Sequence, residues 1–460
     1  MKKLILLISF LLMLKIQLLA QEWTVQQIDD GYIEDTSIAI DTQNLVHIGY
    51  IANGLVKYAK WNGIFWEYET IDTSGYYIYI NEIKIGIDKR NQPHIVTCLH
   101  LHDSTMQVKY AYRRDSIWHL EKVDSLGCPI TLFTNWPRRI DMAIDNNCIP
   151  HIVYPWLNIT DSVWELRYAY KNDEWVVQTI LRLPFTNCAI YAAKIAIDTA
   201  NYPVISYSIS DKGRRQLFCS FFNGLSWDID TIVVTEAKFP ISIIIDRMNL
   251  VHLQYMAGLS IRYAVKENNC WQHSGIIAIS GSPIRGDMAL LNNEPHMVAS
   301  SYFGGLQYKY KLGNNWYWDY VPIPYCGLHP SLEIDQQGTR HLSCSSTDYD
   351  LLYATKPNLG IEEKNVGRTP ISSELSLSVN SPVSQSKLKI SYGLPKNARV
   401  KLTLYDLTGR AIKVLIDEYQ NAGYYNNSLD LQKEQLTNGV YFLGLELDKD
   451  KKFKKIILIK

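Results

Sequence analysis

The segment Ile38–Tyr50, IAIDTQNLVHIGY, decides the fold because close variants of it return six more times along the chain. They are IGIDKRNQPHIVT (Ile85–Thr97), MAIDNNCIPHIVY (Met142–Tyr154), IAIDTANYPVISY (Ile195–Tyr207), IIIDRMNLVHLQY (Ile243–Tyr255), MALLNNEPHMVA (Met288–Ala299) and LEIDQQGTRHLSC (Leu332–Cys344). Self-similarity at a period of about 50 residues marks a solenoid or a propeller. The first unit carries four short runs rich in β-branched and aromatic residues: Ser37–Asp41, His47–Ile51, Leu55–Trp61 and Trp66–Ile71. Polar or Gly-containing turns separate them, as expected of antiparallel strands. The third run recurs as Val108–Tyr112, Leu166–Tyr170, Ile261–Val265, Leu306–Tyr310 and Leu351–Thr355. The fourth begins with Trp66, Trp118, Trp175, Trp227, Trp271 and Trp316. Four strands per unit, with no helical periodicity, predict propeller blades rather than a helical array.

The count predicts how the ring closes. Seven units contain the first three strands, but only six are followed by a Trp-led fourth. The missing copy lies at the other end of the chain, where Glu22–Asp29 (EWTVQQID) matches WEYETID at Trp66–Asp72. The N-terminal strand is therefore expected to complete the last blade and remove an open sheet edge. The fold class expected is all-β: a seven-bladed propeller over 21–356, with a C-terminal Ig-like sandwich.

Two ends fall outside the repeat. Lys2 and Lys3 precede an apolar run from Leu4 to Leu14, and Ala20 precedes Gln21. This pattern predicts a secretory signal peptide over 1–20, its run being too short for a typical membrane span. No other stretch is apolar enough to span a bilayer. Residues 357–374 read as a polar linker. From Leu375 to Lys460 the alternation changes and predicts a small β-sandwich.

The ending carries a specific set of blocks in order. They are Tyr392–Pro395 (YGLP), Val400–Asp406 (VKLTLYD) with Gly409 and Arg410, Ala422–Gly423, Asn438–Phe442 (NGVYF) and Lys454–Lys460 (KKIILIK). This segment resembles the type A C-terminal sorting domain of the type IX secretion system. The resemblance implies export across the inner membrane by the signal peptide, then across the outer membrane through secretion machinery that reads Leu375–Lys460. It also implies removal of the domain, and release or attachment at the surface of a Gram-negative cell. Any membrane association is then surface attachment after export.

Lys plus Arg and Asp plus Glu both number 46, and no basic stripe occurs, which argues against nucleic acid. Of the eight Cys, Cys98, Cys219 and Cys344 fall in predicted strands and read as buried thiols. Cys128, Cys188 and Cys326 fall in predicted loops, and Cys148 and Cys270 in short turns. No CxxC occurs, so neither a zinc nor a redox motif is supported, and no cofactor is expected.

Asp41, Asp88, Asp145, Asp198, Asp246 and Asp335 recur at the end of the first strand. His47, His94, His151, His252, His296 and His341 recur at the start of the second. A ring of His and Asp suggests metal or acid–base chemistry, but residues present in nearly every blade are better read as scaffold. Asp in such a hairpin bonds backbone amides, and Val204 stands at the His position of blade four.

Function is therefore expected where the repeat is broken. The entry loops of blades two to four (Asp72–Glu82, Asp124–Arg139, Leu181–Ala193) and their second-to-third loops (Leu99–Met106, Pro155–Glu165, Ser208–Arg215) are long and all emerge on one face. The candidate ligand-binding residues there are Tyr77, His102, Trp136, Arg138, Arg139, Trp156, Trp164 and Arg214. Trp and Tyr can stack on sugar rings or anchor a protein, and Arg grips carboxylates. The repeats loosely resemble sialidase-like and lectin-like propellers, which implies glycan binding. The sequence favours a binding protein for glycan or protein ligands. The alternative is a polysaccharide hydrolase or lyase, with Glu82, Asp103, Asp161 and Glu165 as its carboxylates. Against a sialidase, the Asp-box S-x-D-x-G-x-T-W is missing and the first strands carry no Arg.

Overall fold

The computed structural model describes residues 23–458, except 73–78, 101–104, 128–139, 187, 234–236, 259, 269, 279–282, 302–304, 314, 324–327, 359–374, 380–382, 385–386, 395–397, 421–422, 431–435 and 448–449. Among the described residues there are strands and no helix. The chain divides into two compact units, to Ile361 and from Glu362.

In the first unit, seven four-stranded antiparallel sheets follow the seven repeats. Blade one is Ile33–Ile40, Val46–Ala52, Leu55–Trp61 and Trp66–Asp72. The inner strand of each blade packs beside that of the next, and that of blade seven, Leu328–Ile334, returns to blade one. Blade seven takes its outer strand from the N-terminus: Thr24–Asp29 pairs with Leu351–Lys356, Thr24 opposite Thr355. The propeller and its expected closure are both present.

The repeated polar residues are scaffold. The Asp41 carboxylate accepts the Gln43 and Leu45 amides, each at 2.8 Å, and so fixes the first hairpin. Asp88, Asp145, Asp198, Asp246 and Asp335 do the same. In five blades the other carboxylate oxygen lies 3.2–3.7 Å from the His Nε2. The His Nδ1 meets a Tyr hydroxyl from the third strand, as in His47–Tyr58 at 2.6 Å and His341–Tyr353 at 2.7 Å. Burial lowers these His and raises these Tyr, so a neutral imidazole accepts the Tyr O–H. The next blade's Trp then packs edge-on against that Tyr: Trp118 on Tyr58, Trp175 on Tyr110, Trp66 on Tyr353 and Trp23 on Tyr308.

Two blades depart from this relay in an instructive way. Blade four has Val204 for the His and Cys219 for the Tyr, so both polar partners are replaced together and neither is orphaned. Blade six has Leu291 for the Asp, and its His296 is pushed down to about 3, chiefly by burial.

The hairpins between first and second strands tie the opposite face together. Asn44, Asn91, Asn201 and Asn249 adopt φ values of 60–68°, a region open to Asn. Each accepts an amide from the preceding blade: Gln336, Thr42, Asn146 and Thr199 respectively, at 3.0–3.2 Å. Space is tight at Gly286, where a Cβ would lie 2.5 Å from the Val298 carbonyl oxygen of its own blade and 3.1 Å from Gln254 Nε2 of the preceding blade. Gly286→Ala is expected to lower the urea-unfolding free energy by about 1–3 kcal/mol through overpacking.

The second unit is a sandwich of two sheets. One holds Ser376–Val379, Lys387–Leu394 and Gly423–Asp430; the other holds Val383–Ser384, Asp450–Leu458, Gly439–Leu447, Ala398–Tyr405 and Ala411–Gln420. Leu388, Ile390, Leu402, Leu443, Leu445 and Ile456 bury their side chains between them.

Candidate functional site

The channel at the propeller axis is where the blades differ. Each first strand runs from the long-loop face inward, and residues two apart share its channel side. The position just before each repeat block holds Ser37, Lys84, Asp141, Lys194, Ser242, Asp287 and Ser331 in blades one to seven. These line a cavity of about 330 Å³ together with Asp35, Glu82, Arg285, His329 and Glu333. Asp35, Glu82, Arg285 and His329 stand near the start of their strands, at the long-loop end. Ile144, Ile197 and Ile245 line the other end, so the channel is charged at its entrance and apolar at its base.

Several of these groups are committed to holding blades together. Asp287 accepts Ser242 Oγ and Ser331 Oγ, each at 2.9 Å, and the amides of Met288 and Leu332. Asp141 accepts the Ile195 amide of the next blade at 3.0 Å. Asp35 accepts the Ile83 amide at 3.0 Å, meets His329 Nδ1 at 2.9 Å and lies 3.6 Å from Arg285. Burial raises Asp35, but His329 and Arg285 outweigh it and hold the carboxylate below its usual range. His329 reaches Asp35 from a β-bulge, at φ 53°.

Lys84 and Glu333 are different. Among the described residues, neither makes a hydrogen bond or an ion pair. Burial disfavours the Lys84 charge, but Asp287, Asp141, Glu333 and Asp35 surround it and raise its pKa. Burial pushes Glu333 up to about 7, although Lys84 opposes the shift. Ala39, Gly86, Ala143, Ala196, Ile244 and Ala289 hold the corresponding place in the other blades. A larger, open cleft of about 530 Å³ flanks the closing strand. Its polar groups already bond one another, as Tyr50 and Lys57 do to Asp29.

The residues singled out by sequence fare unevenly. Tyr77, His102, Trp136, Arg138 and Arg139 lie outside the described residues, as do Asp103, Cys128 and Cys326. Trp156 and Trp164 were expected in a loop, yet they belong to strands Pro150–Asn158 and Val163–Asn172 and are 1% and 2% exposed. These strands run further than the repeat suggests, so Trp156 packs into the core shared with blade two and Trp164 into that shared with blade four, and neither presents a stacking face. Glu165 is buried as well, clamped by Arg167 at 2.6 Å and Arg182 at 3.0 Å. Arg167 in turn covers the Trp156 ring at 4.9 Å. Arg214, expected in a loop, is exposed as the first residue of strand Arg214–Phe222, and its neighbour Arg215 lies 4.2 Å from the Tyr191 ring.

Two further expectations need correction. The first strands do contain an Arg: Arg285 lies within Pro283–Leu291, which starts before the visible repeat block. Cys188 begins the first strand of blade four rather than sitting in a loop, while Cys98, Cys219 and Cys344 are buried in strands as expected. Glu82 is a channel residue, buried at the entrance. Sequence reasoning passed over Lys84, Lys194, Arg285, His329 and Glu333. For Lys84 and Lys194 a signal was available: the residue just before each repeat block varies in charge from blade to blade.

Residues 381–460 match the family of secretion system C-terminal sorting domains. This C-terminal segment is such a domain, and it implies export to the cell surface or beyond. No curated protein is significantly similar to the chain in sequence. Among solved structures, similarity extends to the alpha-L-arabinofuranosidase of Fusarium graminearum in complex with an iminosugar inhibitor. That match has 10% identity and a TM-score of 0.48, covering 74% of this chain and 99% of the other. The alpha-L-arabinanase of Penicillium chrysogenum, complexed with arabinobiose, is similar at 11% identity and TM-score 0.45 over 72% and 97%. A lectin of Aleuria aurantia, in complex with Fucalpha1-6GlcNAc, is similar at 11% identity and TM-score 0.42 over 65% and 98%. These likenesses concern the fold.

Proposed function

We propose that the protein is an exported propeller that binds a glycan at the channel entrance on its long-loop face. The observation that carries this reading is the asymmetry of the channel. Its charged residues gather at the long-loop end, while the opposite face is closed by near-uniform hairpins. A concave site with a few convergent polar groups is the usual form of a small-ligand site. Arg215 over Tyr191 and exposed Arg214 stand at the long-loop end of blade four, outside the cavity lining. A glycan array probed with the full chain tests the reading. Binding that is lost in Arg285→Ala supports it, and binding to no glycan overturns it.

A second reading, a polysaccharide hydrolase or lyase, has one observation in its favour. Glu333 titrates near 7 in the same cavity where Asp35 is held ionised. Carboxyls pushed apart in this way are a feature of acid–base catalysis. Release of reducing ends from a bound polysaccharide, lost in Glu333→Gln, would establish it.

Delivery is assigned to the two chain ends. Residues 1–20 act as the signal peptide, and Leu375–Lys460 engages the type IX machinery. Deleting Leu375–Lys460 is expected to leave the propeller in the periplasm, with none detected in the medium or on the cell surface by fractionation.

A further inference from the structure

The strongest unassigned feature is the Lys84 ammonium. It faces the channel cavity, and no described acceptor reaches it. An ammonium has three donors and no acceptor, and half-buried Lys84 depends on the channel's contents to supply its acceptors. Three of the four carboxyl groups around Lys84 are already engaged, Glu333 being the exception. Asp287 and Asp35 already hold hydroxyls, amides and the His329 ring, and Asp141 holds the Ile195 amide. Two other cations are only loosely satisfied. Lys194, at the same position in blade four, stands 3.9 Å from Asp141. Arg285 stands 3.6 Å from Asp35.

We propose that the channel takes the carboxylate of a terminal acidic sugar, of the uronic acid type, on Lys84, with Lys194 and Arg285 flanking it. This rests on the glycan reading and adds the chemical class. A carboxylate supplies the acceptors that Lys84 lacks, in a charge-assisted hydrogen bond. Glu333 faces the same space from blade seven and bonds a ring hydroxyl. The hydroxyls of Ser37, Ser242 and Ser331 line the wall. The volume, about 330 Å³, is at the low end for small-molecule sites. Ile144, Ile197 and Ile245 line the base. The channel therefore takes the end of a chain, entering from the long-loop face, rather than an internal segment.

The test compares two probes on the full chain by calorimetric titration. One is an oligogalacturonide; the other is the same oligosaccharide with its carboxyls reduced to alcohols. The acidic probe is expected to bind about 10- to 100-fold tighter, the scale of one hydrogen bond to a charged group. Lys84→Met is expected to abolish that difference. Equal binding of both probes overturns the proposal and leaves the glycan reading intact. Failure of these two and of every array glycan overturns both. A folded Lys84→Met protein that keeps the preference also overturns it. Should Lys84→Met not fold, Lys194→Met decides: a reduced preference supports the carboxylate site, and an unchanged one overturns it.

Discussion

Acidification below pH 6.5 is expected to unfold the propeller steeply. His47, His94, His151, His252, His296 and His341 all have pKa values below the ordinary 6.5, with burial as the largest cause in each. His47 falls to about 4 and His296 to about 3. Above 6.5 these groups are neutral in both states and the shift contributes nothing. Below it the unfolded chain binds protons that the folded blades refuse, so stability falls until the folded pKa is reached. The two largest shifts alone give a slope of about 3 kcal/mol per pH unit, and the other four act in the same direction. Glu333 works the other way, since its raised pKa lets the folded state take up a proton below about 7, but it is one group against six. Urea midpoints measured from pH 7 to pH 5 check this. A flat midpoint contradicts it, and His296→Gln should reduce the slope by about one proton.

Removing the closing strand should have an effect of similar size. Trp23 and Ile28 are 6% and 7% exposed, and the Trp23 indole N–H donates to Asp319 at 3.1 Å. Trp23→Ala alone is expected to cost about 3–5 kcal/mol. Deleting 21–29 also strips Leu351–Lys356 of its partner and bares a sheet edge. The truncated protein is expected to aggregate or melt far below the parent. A synthetic peptide spanning Glu22–Asp30, added in trans, should restore the melting temperature by strand addition. Thermal scans with and without the peptide check both halves. A truncated chain as stable as the parent would mean that the ring does not depend on its clasp.

The blades were legible because each repeat is held by the same local chemistry. Asp41 must bond its hairpin amides, His47 must meet Tyr58, and Trp118 must rest on that Tyr, so the spacing in sequence mirrors the contacts. The seven-strand count even exposed Trp23 as the missing outer-strand Trp. The site was much less legible. Trp156 looked like a loop residue because the strands of blade three outrun the repeat, and nothing local reports that burial. Lys84, Arg285 and Glu333 meet only around the axis, from blades two, six and seven. Their proximity is a property of the closed ring, and no window along the chain contains it. The varying residue before each block hinted at a common face, but which charges stay unbonded follows only from distances.

The clasp also sets an order in time. Thr24 pairs with Thr355 across 331 positions, so the first strand made is the last one used. At ordinary synthesis rates that gap is on the order of 20–60 s. Throughout it, the leading segment carries unpaired amides and carbonyls, while the six blades between could already assemble. Long-range pairing of this kind is slow, because loop-closure entropy is lost before any contact repays it. A chain built this way has a natural delay between emergence and locking: however early the other blades assemble, the ring stays open until Leu351–Lys356 arrives to receive its partner.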